Sequence, residues 1–237
     1  MARIYLKNHE KAEGSDGRPI YFIVPGFLGN YEEDFIANLS NFLKNKDADF
    51  WGVEFGGNGR DEEGERAMNL EQMSEQVAEE YKEFRAKHPS RQVIVLAYSQ
   101  GVAITLKVAS IFEENTEFIL FCPAIFIGEI ILPRIDSDSM RRISSGEIVI
   151  TKVSRYKKRE IDITWIESYK NFFLDDNISE LKQEVVIVRG KDDYVEKKNV
   201  DFLMNKLKNV SYIEVPGDHS FSSPSSAFDD MVKVVFM

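Results

Sequence analysis

Short runs of apolar residues alternate along this chain with segments in which apolar positions recur every three or four residues. The runs are rich in Val, Ile and Phe and stop at Gly, Pro or another loop former, which is typical of buried strands. They predict strands at residues 20–24, 49–55, 91–98, 117–122, 184–189 and 210–215. Helical spacing predicts helices at residues 35–43, 70–84, 101–112 and 200–207, and a terminal helix with Pro224 in its first turn.

This alternation predicts the fold class. Parallel strands that are buried on both faces appear as nearly continuous Val and Ile runs, and right-handed crossovers place helices on both faces of the sheet. We therefore expect an α/β fold with a doubly wound, mainly parallel sheet. Ligands bind beyond the carboxyl ends of the strands in such sheets, so the loops that follow Val24, Tyr98, Arg189 and Val215 are the expected place for chemistry.

One connection is much longer than a crossover needs. About sixty residues separate the strand that ends at Cys122 from the strand that begins near residue 184. We therefore divide the chain into a core, residues 1–123 and 184–237, and an insertion, residues 124–183. The insertion carries aromatic residues on a predicted helix and starts at the ligand-binding edge, so we predict that it is a helical lid.

The composition and charge of the chain limit the classes of partner that we expect for it. The chain has 237 residues with 30 Lys and Arg against 40 Asp and Glu, a net charge of −10 that disfavours nucleic acid as a general partner. Residues 141–160 reverse this sign, with seven basic and two acidic residues. A single cysteine, Cys122, excludes an internal disulfide, and we expect it to be a packing residue. No apolar run has the length of a signal peptide or a membrane span, so we expect a soluble, cytoplasmic protein.

The strongest local motif is Ala97-Tyr98-Ser99-Gln100-Gly101. It lies between a predicted strand and a predicted helix, the context in which a small-x-Ser-x-Gly pattern forms a nucleophile elbow. Small residues on either side of the serine are needed because the turn is sharp and its backbone is strained. The elbow would place the Ser99 hydroxyl at the helix N-terminus, where the helix dipole favours developing negative charge. The alternative is that Ser99 only caps the helix.

A serine hydroxyl needs a base, and the base needs a carboxylate that orients it. His219 follows the last predicted strand and lies at the same edge as Ser99, whereas the other two histidines lie in polar segments. The loop after residue 189 offers Asp192 and Asp193 as the acid. We favour Asp193, and Asp192 remains the alternative. The chain order Ser, Asp, His is that of α/β-hydrolases.

These motifs together resemble the α/β-hydrolase superfamily, in particular small serine esterases with a lid. Ala97 replaces the first glycine of the elbow, Pro25 the histidine of the usual His-Gly-Phe loop, and Asn58 the histidine of the Gly-His-Gly-Arg loop. The resemblance extends from about residue 21 to the C-terminus, interrupted by the insertion. Its motifs are residues 25–29, 57–60, 97–101, 190–195 and 217–219.

The resemblance implies acyl transfer to water. Ser99 would attack an ester or thioester carbonyl, His219 would accept its proton, and Asp193 would orient the imidazole. Backbone N–H groups of Phe27 and Gln100 would form the oxyanion hole. No cofactor and no metal would be required.

The residues that would line a substrate pocket come from the loop after the first strand and from the insertion. We expect an acyl pocket lined by Leu28, Trp165, Tyr169 and Phe173. A small-molecule acyl ester is the first expectation, and an acyl-carrier protein or a CoA-linked ester, as for the pimeloyl carrier-protein methyl esterases, is the second. Two other functions stay open: a monoacylglycerol or lysophospholipid lipase, and a catalytically silent binding module. An anionic carrier would dock on four basic residues: Arg155, Lys157, Lys158 and Arg159.

Overall fold

The computed structural model describes residues 18–27, 34–56, 66–153, 158–174 and 176–237. Within these ranges, six strands form one sheet whose pairings are all parallel. Two further strands, β5 (Val149–Lys152) and β6 (Lys158–Ile161), form a separate antiparallel pair. The strands of the main sheet are β1 (Ile20–Val24), β2 (Phe50–Gly52), β3 (Val93–Tyr98), β4 (Glu117–Phe121), β7 (Val185–Gly190) and β8 (Val210–Val215).

The order of the main sheet is β2-β1-β3-β4-β7-β8, which confirms the predicted fold class. None of the helices in the described ranges has both the length and the apolar character needed to cross a membrane. The helices are α1 (Asp34–Asn45), α2 (Leu70–Lys87), α3 (Gln100–Lys107), α4 (Ile127–Ile131), α5 (Ser137–Ser144), α6 (Ile163–Lys170), α7 (Lys198–Lys206) and α8 (Ala227–Phe236).

The sheet has a hydrophobic cluster on each face because successive residues of a strand point to opposite sides. Along β3, Val95 and Ala97 belong to the cluster that α2, α3 and α7 cover, and Leu96 and Tyr98 belong to the cluster that α1 and α8 cover. Every one of these side chains is buried. Two covered faces leave the carboxyl edge of the strands as the place where loops converge.

Element boundaries follow the sequence pattern with a few differences. Strand β2 is shorter than the predicted residues 49–55, and beyond it Val53 N–H still donates to the carbonyl of Ile23 at 2.9 Å. Helix α3 ends at Lys107 and a 3₁₀ turn, Ala109–Ile111, continues it. Helix α8 begins at Ala227, so the prediction that Pro224 lies in its first turn is wrong.

The insertion contains both helices and strands. It follows β4 and holds α4, α5, α6 and the β5–β6 pair, whereas the sequence pattern predicted helices alone. Its buried residues Ile127, Ile143 and Ile166 belong to the same hydrophobic cluster as the face of the sheet that α2 and α3 cover. The Ser168 hydroxyl accepts the backbone N–H of Leu70 at 3.3 Å, which joins α6 to the start of α2. The insertion is therefore packed onto the core.

Candidate active site

Ser99 occupies a strained turn between β3 and α3. Its backbone angles are φ 53° and ψ −120°, a region that residues with a side chain seldom adopt. Its N–H donates to the carbonyl of Phe121 at 2.9 Å, so the turn is fixed to the end of β4. A Cβ atom at Gly101 would lie 2.3 Å from the carbonyl oxygen of Pro25, because the first turn of α3 presses on the end of β1. This close approach explains the glycine of the motif.

The structure brings Ser99, His219 and Asp193 into one hydrogen-bonded chain. His219 Nε2 lies 2.9 Å from the Ser99 hydroxyl, and His219 Nδ1 lies 2.7 Å from Asp193 Oδ1. All three residues are 8% exposed. A carboxylate can only accept, so Nδ1 carries the proton of a neutral imidazole and Nε2 is left to accept the serine proton. The arrangement can therefore remove a proton from Ser99.

The loop after β7 holds Asp193 in place. The backbone N–H of Val195 donates to Asp193 Oδ1 at 2.8 Å, and Arg189 Nη2 donates to the carbonyl of Asp193 at 2.9 Å. Asp192 is exposed, and its backbone N–H donates to the carbonyl of Gly217. Of the two candidate acids, Asp193 is the residue that the structure places against His219.

The loops that carry the acid and the base lie against each other at Gly190. A Cβ atom there would lie 2.4 Å from the carbonyl oxygens of both Gly217 and Asp218. The backbone N–H of Lys191 donates to the carbonyl of Val215 at 2.8 Å, so the parallel pairing of β7 and β8 extends into these loops. His219 and Asp193 are thus brought together by backbone contacts from two neighbouring strands.

The predicted oxyanion-hole residues, Phe27 and Gln100, each adjoin in sequence a residue of the elbow or of the loop that approaches it. Gln100 begins α3 directly after Ser99 and is 1% exposed. Gly26, which precedes Phe27, approaches Ser99 so closely that an added Cβ would lie 3.1 Å from the serine Cβ. Backbone N–H groups at the start of a helix and on the loop after β1 suit the oxyanion that forms on a substrate's carbonyl oxygen when Ser99 attacks the carbonyl carbon.

A pair of stacked aromatic residues of the insertion contacts Gln100 and Phe27 through one member, Tyr169. Trp165 and Tyr169 are each 2% exposed, and their rings stack at 4.2 Å. The Tyr169 hydroxyl donates to Gln100 Oε1 at 3.1 Å, and its ring meets the edge of Phe27 at 6.2 Å. Burial raises the pKa of Tyr169 well above its ordinary value, which keeps the hydroxyl a donor. Tyr169 therefore contacts both residues of the predicted oxyanion hole, and its contact with a substrate stays a prediction.

The remaining expected lining residues differ in placement. Phe173 is 70% exposed, and its backbone carbonyl accepts a hydrogen bond from Lys107, so its ring does not line an enclosed pocket. Trp165 is buried and stacks on Tyr169. Leu28 and the Gly57–Arg60 loop of the sequence motif lie outside the described residues.

The predicted basic docking surface is only partly present among the described residues. Arg159 is 0% exposed, which corrects its assignment to a surface, because β6 buries every second side chain and Arg159 points inward. Its Nη1 donates to the carbonyl of Lys158 at 3.0 Å. Lys158 is exposed, and Arg155 and Lys157 lie outside the described residues.

Cys122 adds a third side chain to the acid and the base. Potential ligand atoms of Cys122, Asp193 and His219 lie within 4.8 Å of one another, a spacing that could suit a metal ion. Both nitrogens of His219 and one oxygen of Asp193 already take part in the chain to Ser99. Burial and the charge of Asp193 raise the pKa of the Cys122 thiol well above its ordinary value, so Cys122 is a neutral thiol beside the acid and the base. This donor set does not fit a metal site.

Sequence reasoning missed two residues that contact the base. The rings of Tyr98 and Tyr194 lie 5.2 Å and 4.5 Å from the imidazole of His219. Each tyrosine is the direct sequence neighbour of a triad candidate, Ser99 or Asp193. That adjacency was the available signal.

Comparison with known proteins places the chain among hydrolases. A family model described as serine aminopeptidase, S33, matches residues 17–175. No curated protein is similar enough to this chain to count as a match. Among solved structures, a candidate hydrolase from Agrobacterium vitis S4 is 15% identical, with a TM-score of 0.66 and coverage of 94% of each chain.

Two further solved structures share the fold. Est1E from Butyrivibrio proteoclasticus, solved with ferulic acid bound, is 15% identical with a TM-score of 0.65, covering 92% of this chain and 88% of its own. Mouse alpha/beta hydrolase domain-containing protein 10 is 15% identical with a TM-score of 0.60, covering 91% and 88%. Identities this low show a common fold and no more. The family model spans more than half of the chain, and the chain therefore belongs to the α/β-hydrolase family described as serine aminopeptidase, S33.

Proposed function

We propose that the protein is a serine hydrolase that cleaves a carboxylic ester of a small acyl compound. The observation that carries the proposal is the continuous chain from the Ser99 hydroxyl through His219 to Asp193, at 2.9 Å and 2.7 Å. A buried Ser-His-Asp chain at the carboxyl edge of a parallel sheet is the arrangement that activates serine for attack on a carbonyl.

The reaction would run in two halves. The Ser99 oxygen bonds to the carbonyl carbon while its proton passes to His219 Nε2, and the alcohol leaves as His219 returns that proton to it. Water then attacks the acyl-enzyme, gives a proton to His219, and the acid is released as Ser99 regains its proton. Asp193 keeps the imidazole oriented and stabilises its charged form throughout.

The oxyanion would be held by the backbone N–H groups of Phe27 and Gln100. One such donor typically contributes about 3 kcal/mol to catalysis, because it is fixed before the charge develops. Tyr169 supports both residues of this pair, since it bonds the Gln100 side chain and packs against the ring of Phe27. The insertion therefore has a role in holding the two residues of the proposed oxyanion hole.

The aromatic side chains near the proposed site favour one class of substrate. The rings of Phe27 and Tyr169 pack against each other beside Gln100, and Tyr194, 62% exposed, lies against the imidazole of His219. Such walls suit a neutral, partly aromatic ester. Est1E holds ferulic acid, an aromatic acid, in the same fold, which makes aromatic esters a reasonable first group to assay. A carrier-linked ester has less support, because Arg159 is buried.

Hydrolysis of a substrate panel tests this function. The panel contains p-nitrophenyl esters of graded acyl length, methyl ferulate, an acyl-CoA and aminoacyl p-nitroanilides, each with the wild type and with Ser99→Ala. We expect ester turnover that Ser99→Ala lowers by about 10⁴-fold or more. Turnover of the p-nitroanilides alone would replace the esterase proposal with a peptidase, and turnover of no substrate by the wild type would favour a binding module.

A further inference from the structure

Two tyrosine rings contact the imidazole of His219. Tyr98 lies at the end of β3 with its ring 5.2 Å from that of His219, at an interplanar angle of 41°. Tyr194 lies on the loop after β7 with its ring 4.5 Å away, at 47°. Tyr98 is 7% exposed and packs in the hydrophobic cluster, whereas Tyr194 is 62% exposed. Packing in the hydrophobic core explains why the Tyr98 ring lies where it does. It does not explain the position of the Tyr194 ring, which is exposed.

We propose that Tyr194 is a positioning residue whose ring stabilises the imidazolium that His219 becomes when it takes the proton of Ser99. The inference rests on the proposed function, since the cation forms only if His219 acts as the base. A cation within about 6 Å of an aromatic ring is attracted by the negative face of that ring. The Tyr194 ring lies within that distance of the His219 imidazole.

Several other groups around His219 act on the balance between its neutral and its charged form. The ring of Tyr194 acts together with them. The Asp193 carboxylate accepts from Nδ1 and favours the imidazolium. Arg189 lies 3.9 Å from the other Asp193 oxygen and partly offsets that charge. From β4, Cys122 approaches as a neutral thiol, and from β3 come the Ser99 hydroxyl and Tyr98. Of these groups Tyr194 is the one that solvent reaches most, so it can be changed without disturbing the core.

The position of Tyr194 in the chain supports a role in the site. Its neighbours Asp193 and Val195 are buried, and the Val195 N–H and the Arg189 side chain hold the loop. The backbone at residue 194 is therefore fixed from both sides, and the ring is held over the base by a loop that already positions the acid.

Two substitutions distinguish the effect of the aromatic ring of Tyr194 from the effects of the size and the hydroxyl of its side chain. Tyr194→Leu keeps an apolar side chain and removes the ring, and Tyr194→Phe keeps the ring and removes the hydroxyl. The measurement is the second-order rate of Ser99 labelling by a fluorophosphonate between pH 4.5 and pH 9, with the urea unfolding midpoint as a check on folding. Labelling needs no knowledge of the natural substrate.

We expect Tyr194→Leu to label about 2- to 5-fold more slowly at neutral pH and to shift the acidic midpoint of the rate to lower pH by roughly 0.4 to 0.7. The midpoint falls because a less stabilised imidazolium loses its proton more readily. Tyr194→Phe should keep the wild-type midpoint. Unfolding midpoints should agree among the three proteins, since the side chain is exposed.

The outcomes distinguish this inference from the proposed function. If the wild type labels at Ser99 and Tyr194→Leu keeps the wild-type midpoint, Tyr194 has no such role and the proposed function stands. If Tyr194→Phe shifts the midpoint as Tyr194→Leu does, the hydroxyl is responsible and the proposal about the ring is wrong. If the wild type does not label at all, both proposals fail together.

Discussion

The hydroxyl of Tyr169 donates a hydrogen bond to the side-chain oxygen of Gln100 at 3.1 Å. This bond joins the insertion to the residue that follows Ser99, and both partners are buried. The same Gln100 side chain contacts Met73 Sδ through Nε2 at 3.3 Å, so α2, α3 and α6 meet at one amide. The backbone at the start of α3 is therefore held from the side of the insertion as well as from β1.

Tyr169→Phe should lower esterase activity more than it lowers stability. The ring contacts with Trp165 and Phe27 remain, but the Gln100 oxygen loses its donor in a buried place, at a cost of about 1 to 3 kcal/mol. A shift of the Gln100 backbone that relieves part of this cost would also move the Gln100 N–H away from the oxyanion, and kcat would then fall. Steady-state kinetics and urea unfolding measure the two effects. Unchanged kcat with an equal loss of stability would assign Tyr169 to packing alone.

Gly101→Ala should destabilise the protein through the elbow. The added Cβ would meet the carbonyl oxygens of Pro25 and Val24 at 2.3 Å and 2.6 Å, and backbone atoms in a sheet cannot move aside cheaply. A loss of about 1 to 3 kcal/mol in the free energy of unfolding is expected. Gly56→Ala is the matched control, because its Cβ would meet only Met68 Sδ at 3.5 Å. Equal unfolding midpoints for both variants would contradict this account of the elbow.

Substitution of the two neighbouring acids should separate their roles. Asp193→Asn replaces the acceptor of His219 Nδ1 with an amide and favours the wrong tautomer, so kcat should fall by about 10⁴-fold. Asp192→Asn changes an exposed side chain whose backbone contact to Gly217 is kept, and it serves as the control. Comparable losses in the two variants, measured with p-nitrophenyl acetate, would argue against Asp193 as the orienting acid.

Glu113 should contribute stability that is lost in acid. Burial alone would raise the pKa of its carboxyl, but hydrogen bonds from Tyr81 and Arg85 and the charge of Arg85 outweigh burial and hold the pKa below its ordinary value of 4.5. A carboxyl whose pKa is lower in the folded than in the unfolded state stabilises the folded protein fully at any pH above the unfolded-state pKa. This stabilisation disappears as the pH falls through the folded-state pKa.

Glu113→Gln tests this relationship. The Glu113 side chain is 40% exposed, so solvent screens the pair and the difference from wild type should be about 1 kcal/mol or less at pH 7. The difference in urea midpoint should stay constant from about pH 8 to 5.5 and close below pH 4.5. A difference that persists unchanged to about pH 3 would show that shape rather than charge is responsible.

Much of the fold could be predicted because strands and loops have strong local patterns. The Val and Ile runs placed β1 and β8 at their observed bounds, and the small residues around Ser99 marked the elbow. Parallel strands bring their carboxyl ends to one edge, so the sequence alone places the loops with Asp193 and His219 near Ser99. The choice between Asp192 and Asp193 needed the actual direction of each side chain.

Other features depend on tertiary contacts that composition does not reveal. The β5–β6 pair has only four residues per strand, too short for a clear alternation in sequence. Arg159 belongs to a run of basic residues that suggests a surface, yet the pleat of β6 turns it inward. The contact of Tyr194 with His219 spans two loops. A sequence shows which charges are present, but packing decides which of them solvent reaches.

The most direct test of the central claim is covalent labelling of the folded protein by a fluorophosphonate, with the modified residue located by peptide mass spectrometry. The account predicts one adduct per chain, on Ser99, that is abolished by Ser99→Ala and strongly slowed by His219→Ala. An adduct on another residue, or a wild type that stays unlabelled while folded, would contradict the assignment of Ser99, His219 and Asp193 as a catalytic triad.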